Sequence, residues 1–109
     1  MVHRDVPGGI MVYTSMTLAD GTCVGALISG YTDGWLVSDG DQLHGEMSCA
    51  GLPVVDLTDL LERYRIAACR CGVGRTVTTL LEVLSAIEDV ISFQIAAYAY
   101  ALAVRDAKP

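Results

Sequence analysis

The feature that most constrains this chain is its C-terminal third, which has the pattern of one long helix with very few polar residues. Between Val77 and Val104 the polar side chains, apart from Thr79, Glu88 and Gln94, form a narrow stripe at spacings of four and three, and after Ser92 this stripe fades. The stripe consists of Thr78, Glu82, Ser85, Asp89 and Ser92. A helix that is apolar on almost every side must be buried on almost every side. The helix therefore has to be covered by a large apolar surface, either from the same chain or from another copy.

A chain of 109 residues forms a single domain, residues 1–109, because it has no room for a second core. One small sheet and one neighbouring helix would cover about half of the circumference of the long helix. We therefore expect a symmetric homo-oligomer in which the second half of the helix packs against another copy. The residues expected at this interface are Phe93, Ile95, Tyr98, Tyr100 and Leu102. The alternative is a central helix that the chain wraps with its own sheet.

The N-terminal half consists of short β-rich runs divided by turn signals. Asp20-Gly21 lies between two apolar runs, which is typical of a hairpin, and Thr32-Asp33-Gly34 and Asp39-Gly40-Asp41 mark two further turns. The spacing predicts an antiparallel meander of three to four strands. Residues 1–9 are a candidate for a loose N-terminal arm. For Gln42 to Gly51 a fourth strand and a loop are equally consistent with the sequence.

The second half predicts two helices joined by a tight turn. Asp56 is the expected N-cap of the first helix, which ends at Gly72 because glycine favours the left-handed conformation that stops a helix. The apolar face of this helix is Leu57, Leu60, Leu61, Tyr64, Ala67, Ala68 and Cys71. The long helix then begins at a cap on Thr76. The predicted fold class is therefore α+β: a meander followed by a helical hairpin whose C-terminal helix is long and apolar.

The turn between the predicted helices carries the spacing of a known active-site motif. Residues 69–76 read Cys-Arg-Cys-Gly-Val-Gly-Arg-Thr, which resembles the C-x5-R-[ST] loop of the protein tyrosine phosphatases. The resemblance implies that Cys69 is the nucleophile, Arg75 grips the phosphate, and Thr76 assists the leaving thiolate. It covers eight residues and departs from the family at Ala68, where the phosphatases have a histidine.

The same cysteine loop also resembles that of the rhodanese-type sulfurtransferases, which have about this chain length. The usual loop of that family is one residue shorter. Both resemblances require a buried strand before the cysteine, whereas the stripe from Leu57 to Cys71 has helical spacing. A cysteine-dependent phosphatase or sulfurtransferase is therefore the alternative function and not the leading one.

The leading prediction uses the same turn as a binding site without catalysis. The free N–H groups at the start of a helix and nearby arginines favour an anion. We expect a phosphate-bearing small molecule or a nucleotide at residues 72–79. The predicted ligand-binding residues are Gly72, Gly74, Arg75, Thr76, Thr78 and Arg70. The predicted function is that of a non-enzymatic, homo-oligomeric binding or regulatory protein without a cofactor.

Charge restricts the partners of this protein. The chain has 7 basic and 13 acidic residues, a formal net charge of −6, and no cluster of Lys or Arg. Duplex nucleic acid is therefore not an expected partner, because its binding needs a basic face. An acidic protein–protein inhibitor that contacts a basic partner is a third hypothesis.

The cysteines and the longest apolar run bear on the cellular setting. The N-terminal residues do not form a signal peptide, so the four cysteines are expected to be reduced thiols in the cytoplasm. Zinc bound by Cys69, Cys71, Cys49 and His44 is an alternative, although this spacing matches no common zinc pattern. Val90 to Val104 is shorter than the roughly 20 residues that cross a bilayer, so no membrane partner is expected.

Overall fold

The structure, a computed structural model, describes residues 2–69 and 72–107. It contains a six-stranded antiparallel sheet in the order β1-β2-β3-β4-β6-β5, followed by one long helix. The strands are β1 (Val2–Val6), β2 (Gly9–Thr17), β3 (Cys23–Tyr31), β4 (Gly34–Ser38), β5 (Ala67–Cys69) and β6 (Gly72–Val77). The helices are α1 (Gln42–Cys49), α2 (Thr58–Arg63) and α3 (Leu80–Asp106). The predicted α+β class, with an antiparallel sheet that precedes a long C-terminal helix, is confirmed.

The meander is present, and it extends further towards the N-terminus than expected. The hairpins at Asp20-Gly21 and at Thr32-Asp33 join β2, β3 and β4 as predicted. The loose arm was a wrong prediction, because Val2–Val6 pairs along its whole length with β2, from Val2 opposite Tyr13 to Val6 opposite Gly9. Gly8 has a φ of 95°, which lets the chain reverse there.

The segment left open between strand and loop is in fact the helix α1. It ends in a Schellman motif: the N–H of Gly51 donates to the carbonyl of Ser48, and the N–H of Leu52 donates to the carbonyl of Met47. Gly51 has a φ of 67°, the left-handed conformation that this motif needs. The prediction missed α1 because its apolar positions are few and its middle contains Gly45.

The predicted length of the first hairpin helix is wrong, because the observed helix is shorter. Residues 58–63 form α2, and Arg65 then adopts a φ of 57° in a second Schellman motif, in which Ile66 donates to the carbonyl of Leu61. An arginine is unusual in the left-handed conformation that ends a helix. The sequence pattern therefore predicted that the helix continues to Gly72. Beyond Ile66 the chain forms β5 and β6, so Gly72–Thr76 lies in a strand and not in a turn between helices.

The long helix α3 packs across one face of β3, β4 and β6 and completes the core. Its buried positions recur at helical spacing: Val83, Ala86, Ile87, Val90, Ile91, Phe93, Gln94, Ala97, Tyr98 and Ala101. Burial of a large apolar side chain stabilises the fold by about 1.5–3 kcal/mol, so this face anchors the helix. Phe93 and Tyr98, predicted at an interface between copies, are buried inside this chain, whereas Tyr100 is 46% exposed.

Two glutamine side chains close the part of β3 that β4 leaves unpaired. The β3–β4 pairing ends at Leu27 opposite Ser38, where the chain turns into α1. Beyond that point Gln94 donates to the carbonyl of Gly25 at 2.8 Å, and Gln42 donates to the carbonyl of Cys23 at 3.1 Å. Gln94 is therefore a buried polar residue whose place in the core follows from the need to satisfy strand carbonyls.

Candidate functional site

A cavity of about 420 Å³ lies beside α1, between the segment 52–57 and the start of β6. Most of the side chains around it are apolar, and the few polar groups come from the β4–α1 turn and from α1. The lining residues are Asp39, Asp41, Leu43, His44, Met47, Ser48, Leu52, Pro53, Val54, Val55, Leu57, Gly72, Val73 and Phe93. An apolar cavity with a few convergent polar groups is the usual form of a small-molecule site.

Asp39 forms the polar end of this cavity and holds three elements together. The side chain is buried, with 2% of its surface exposed. Its Oδ1 accepts hydrogen bonds from the N–H of Asp41 at 3.0 Å and the N–H of Val73 at 3.1 Å, and its Oδ2 accepts one from the N–H of Leu43 at 3.2 Å. The carboxylate thus caps α1 and ties the start of that helix to β6.

Gly72 is required for this arrangement. A Cβ atom at Gly72 would overlap Oδ1 of Asp39, and the residue has a φ of 99°. Only glycine adopts this conformation without strain. The glycine predicted to stop a helix therefore has another purpose, which is to let β6 approach the buried carboxylate.

Burial and hydrogen bonding shift the pKa of Asp39 in opposite directions. Burial raises the pKa of Asp39 above its ordinary value, because it disfavours the charged form. The hydrogen bonds from Val73, Asp41 and Leu43 lower the pKa, and the neighbouring carboxylate of Asp41 raises it. The net direction is upward, so a nearby cation would favour the charged form of this carboxyl group.

Asp41 presents a second carboxylate at the same end of the cavity. It occupies the N-cap position of α1 with a φ of 65°, yet its side chain makes no capping hydrogen bond. Asp39 already accepts the N–H of Leu43, so the carboxylate of Asp41 is not needed as a cap. It is exposed and lines the cavity instead.

Asp41, His44 and Ser48 lie along one side of α1 and all line the cavity. These residue types form a catalytic triad only when hydrogen bonds join them. In residues 2–69 and 72–107 no side-chain hydrogen bond links any two of the three. They are therefore polar groups of the cavity wall, without the geometry of a nucleophile and its base.

The described residues of the phosphatase-like motif, Cys69 and Gly72–Thr76, do not form a phosphate cradle. Cys69 ends β5, which gives the motif its entry strand, but Gly72–Val77 then pairs back on β5 as β6. Successive side chains of a strand point to opposite faces, so Arg75 and Thr76 diverge. Arg75 pairs with Val37 on the face that carries α3, and Thr76 is exposed on the other face. Arg70 and Cys71 lie outside the described residues.

Arg75 is engaged in the fold. Its Nη1 donates to Oδ2 of Asp89 at 2.8 Å, to the carbonyl of Arg65 at 3.2 Å and to the carbonyl of Tyr64 at 3.3 Å. The last two carbonyls lie at the end of α2, where backbone acceptors lack partners within the helix. Arg75 thus joins β6, α2 and α3.

The long helix begins later than predicted, and its N-terminus already holds a carboxylate. Thr79, not Thr76, is the N-cap: its hydroxyl oxygen accepts the N–H of Glu82 and its hydroxyl donates to Oε1 of Glu82 at 2.9 Å. Thr78 also donates to Oε1 of Glu82, at 3.3 Å. This capping arrangement places a negative charge at the position where an anion was expected.

A shallower cleft lies next to this helix end. Its lining residues are Arg65, Arg75, Glu82 and Ser85. Of the predicted ligand-binding residues that the structure describes, Arg75 alone lies here, while Gly72 lines the larger cavity and Gly74 is buried in β6. Arg65 is not among the predicted ligand-binding residues.

No metal site is formed by the described part of the chain, since no three His, Cys, Asp or Glu side chains are grouped to hold an ion there. The zinc alternative also used Cys71, which lies outside the described residues. Cys23 and Cys49 are exposed free thiols.

The cavity could not be predicted from the sequence, because the apolar pattern of α1 is too weak to indicate a helix. From the sequence, Asp39 and Asp41 are predicted only as part of the turn Asp39-Gly40-Asp41. Asp39-Gly40-Asp41 is the local signal that a capped helix follows, since Asp39 can accept N–H groups two and four residues later.

Comparisons with protein-family models, with curated proteins and with solved structures found no match to this chain. Within residues 2–69 and 72–107, no helix combines the length and the apolarity that crossing a membrane requires. Function is therefore argued from the cavity and the cleft themselves.

Proposed function

We propose that this protein is a non-enzymatic binding protein that holds a small, mainly apolar molecule in the cavity beside α1. The observation that carries the proposal is the cavity of about 420 Å³, lined by Met47, Leu52, Val55 and Leu57 around a buried carboxylate. Small-molecule sites in proteins span about 300–1,000 Å³ and are mostly apolar with a few placed polar groups. The cavity meets both criteria.

Two further observations favour binding over catalysis. Arg75, the anion clamp of the phosphatase-like motif, donates to Asp89 and to two carbonyls and lies in a strand. The polar residues of the cavity lack the hydrogen bonds of a nucleophile–base pair in the described chain. A regulatory protein that senses a metabolite needs only the cavity and the elements around it.

A phosphate-bearing ligand is the second candidate, and the cleft beside α3 favours it. Arg65 and Arg75 both line that cleft, and Arg65 keeps an unusual left-handed backbone there. Glu82 in the same cleft and Asp89 on Arg75 offset the positive charge. We rank this candidate below the cavity because the anion would have to compete with both carboxylates.

Self-association and a cytoplasmic location belong to the same proposal. Leu80, Leu81 and Leu84 are 71%, 80% and 56% exposed at the start of α3, and exposed apolar patches favour protein contacts.

The exposed free thiols of Cys23 and Cys49 favour a reducing compartment.

One pair of matched variants tests the two ligand sites. Ser48→Phe places a ring in the cavity, and Ser85→Phe places the same ring in the cleft; both serines are exposed helix residues. N-phenylnaphthylamine, a neutral apolar dye, is titrated by fluorescence, and inorganic phosphate is titrated by thermal shift. We expect the dye to bind the wild type and Ser85→Phe but not Ser48→Phe. Dye binding that Ser48→Phe leaves unchanged would refute the cavity proposal. Phosphate stabilisation abolished by Ser85→Phe alone would establish the second candidate.

A further inference from the structure

We infer that the ligand of the cavity carries a positively charged amine, which binds at the end formed by Asp41 and Asp39. This inference rests on the proposed function and names the chemical class of its ligand. It assigns an apolar body to the part of the cavity lined by Met47, Leu52, Val55 and Leu57, and a single cationic group to the acidic end.

The first support is the carboxylate of Asp41. It lies at the cavity although its N-cap position would ordinarily direct it to the helix N–H groups. In the described chain it takes part in no side-chain hydrogen bond and no ion pair. A carboxylate that lines an apolar cavity and pairs with no cation of the described residues fits a ligand that brings the counter-charge.

The second support is the exclusion of anions from the same place. The start of α1 would attract an anion. However, the carboxylate of Asp39 already accepts hydrogen bonds from the N–H groups of Asp41 and Leu43. An anionic ligand would therefore meet two carboxylates and no free helix terminus. Among residues 2–69 and 72–107 neither Lys nor Arg lines the cavity, and the chain as a whole carries a net charge of −6.

The third support is the raised pKa of Asp39. Burial raises the pKa of Asp39, because the charged carboxylate loses solvation in the cavity wall. An ammonium group close to Asp41 would offset that effect. The cationic ligand and the buried carboxylate therefore favour each other, as linkage requires.

The test compares three ligands with the same chain length and different end groups: octylamine, octanol and octanoate. Each competes with N-phenylnaphthylamine at pH 8 and low salt, on the wild type, on Asp41→Asn and on Asp33→Asn. Asp33 is an exposed aspartate in the β3–β4 turn and is the charge-matched control. Because the charge-assisted contact is partly exposed, we expect octylamine to bind about tenfold more tightly than octanol. Octanoate should bind more weakly than either.

The variants give the sharper readout. Asp41→Asn should reduce the affinity for octylamine to about that for octanol and leave octanol unchanged, whereas Asp33→Asn should alter neither. Added salt should weaken octylamine alone. Equal affinities for octylamine and octanol on the wild type would overturn the amine inference and leave the cavity proposal intact. If none of the three displaces the dye, both fail. A uniform loss of all ligands in Asp41→Asn would also overturn the inference, because it would mark Asp41 as a structural residue only.

Discussion

Gly72 and Asp39 lie so close together that the glycine has no room for a side chain. Oδ1 of Asp39 occupies the position that a Cβ atom of Gly72 would take, and Gly72 has a φ of 99°. The contact joins the end of β4 to the start of β6, 33 positions apart in sequence, and it forms the polar end of the cavity. Several consequences for stability and binding can be measured.

The first prediction concerns Gly72→Ala. The variant should lower the free energy of unfolding by about 3 kcal/mol, since it adds both a steric overlap and a strained φ. Gly51→Ala isolates the second effect, because Gly51 has a φ of 67° and open space around it; it should cost about 1 kcal/mol. Gly45→Ala, in α1 with open space, should stabilise by about 0.5–1 kcal/mol. Urea unfolding measures all three. Equal losses for Gly72→Ala and Gly51→Ala would show that the overlap costs nothing.

The second prediction concerns the pH dependence that Asp39 confers. Its pKa is raised in the folded protein above the ordinary 3.8, so the folded state binds the proton more tightly than the unfolded state. The resulting stability is fully present below pH 3.8 and is lost as the pH rises through the raised pKa. The free energy of unfolding of the wild type, relative to Asp39→Asn, should therefore decrease over that window. Asp20 and Asp56, whose pKa values are lowered by hydrogen bonds, are common to both proteins and cancel in the difference. A difference that increases with pH would contradict the raised pKa.

The third prediction concerns Arg75. Asp89→Ala removes one ion pair, whereas Arg75→Ala also leaves the carbonyls of Tyr64 and Arg65 without their donor. We expect losses of about 1 kcal/mol and about 2–3 kcal/mol in the free energy of unfolding. The double variant should show a coupling of about 0.5–1 kcal/mol. An Arg75→Ala variant as stable as the wild type would mean that Arg75 is free to serve a ligand, as the phosphatase-like motif implies.

The fourth prediction separates the observed helix start from the expected one. Thr79→Ala should cost about 1 kcal/mol, because the hydroxyl of Thr79 accepts the N–H of Glu82. Thr76→Ala, in an exposed position of β6, should change stability by less than about 0.5 kcal/mol. Thermal unfolding of both variants is sufficient. The reverse ranking would place the cap at Thr76.

The fifth prediction concerns self-association. If the exposed leucines of α3 contact another copy, Leu81→Glu should shift the mass in solution to that of the 11.6 kDa monomer without loss of helicity. Met16→Glu, at a methionine that is 50% exposed on β2, is the matched control. Light scattering after size exclusion measures the mass. A wild type that is already monomeric at micromolar concentration would contradict the oligomer.

Much of the fold follows from local signals. Asp20-Gly21 and Thr32-Asp33 are local hairpin signals, and Gly21 adopts a φ of 89°, a conformation that other residues avoid. The long C-terminal helix follows from its uninterrupted pattern. The end of α2 at Arg65 could not be predicted from local signals, because the left-handed residue there is not a glycine.

The sequence by itself therefore determined the class of the fold: an antiparallel sheet, then one long helix, in a single small acidic chain. The tertiary structure decided which residues meet. Arg75 and Cys69 are close in sequence, but β-pairing turns Arg75 towards Asp89 and away from the motif. Asp39 and Gly72 are far apart in sequence and meet only because β4 pairs with β6. Sequence spacing predicts periodicity within an element, whereas a cavity is formed by the packing of several elements, which no single spacing encodes.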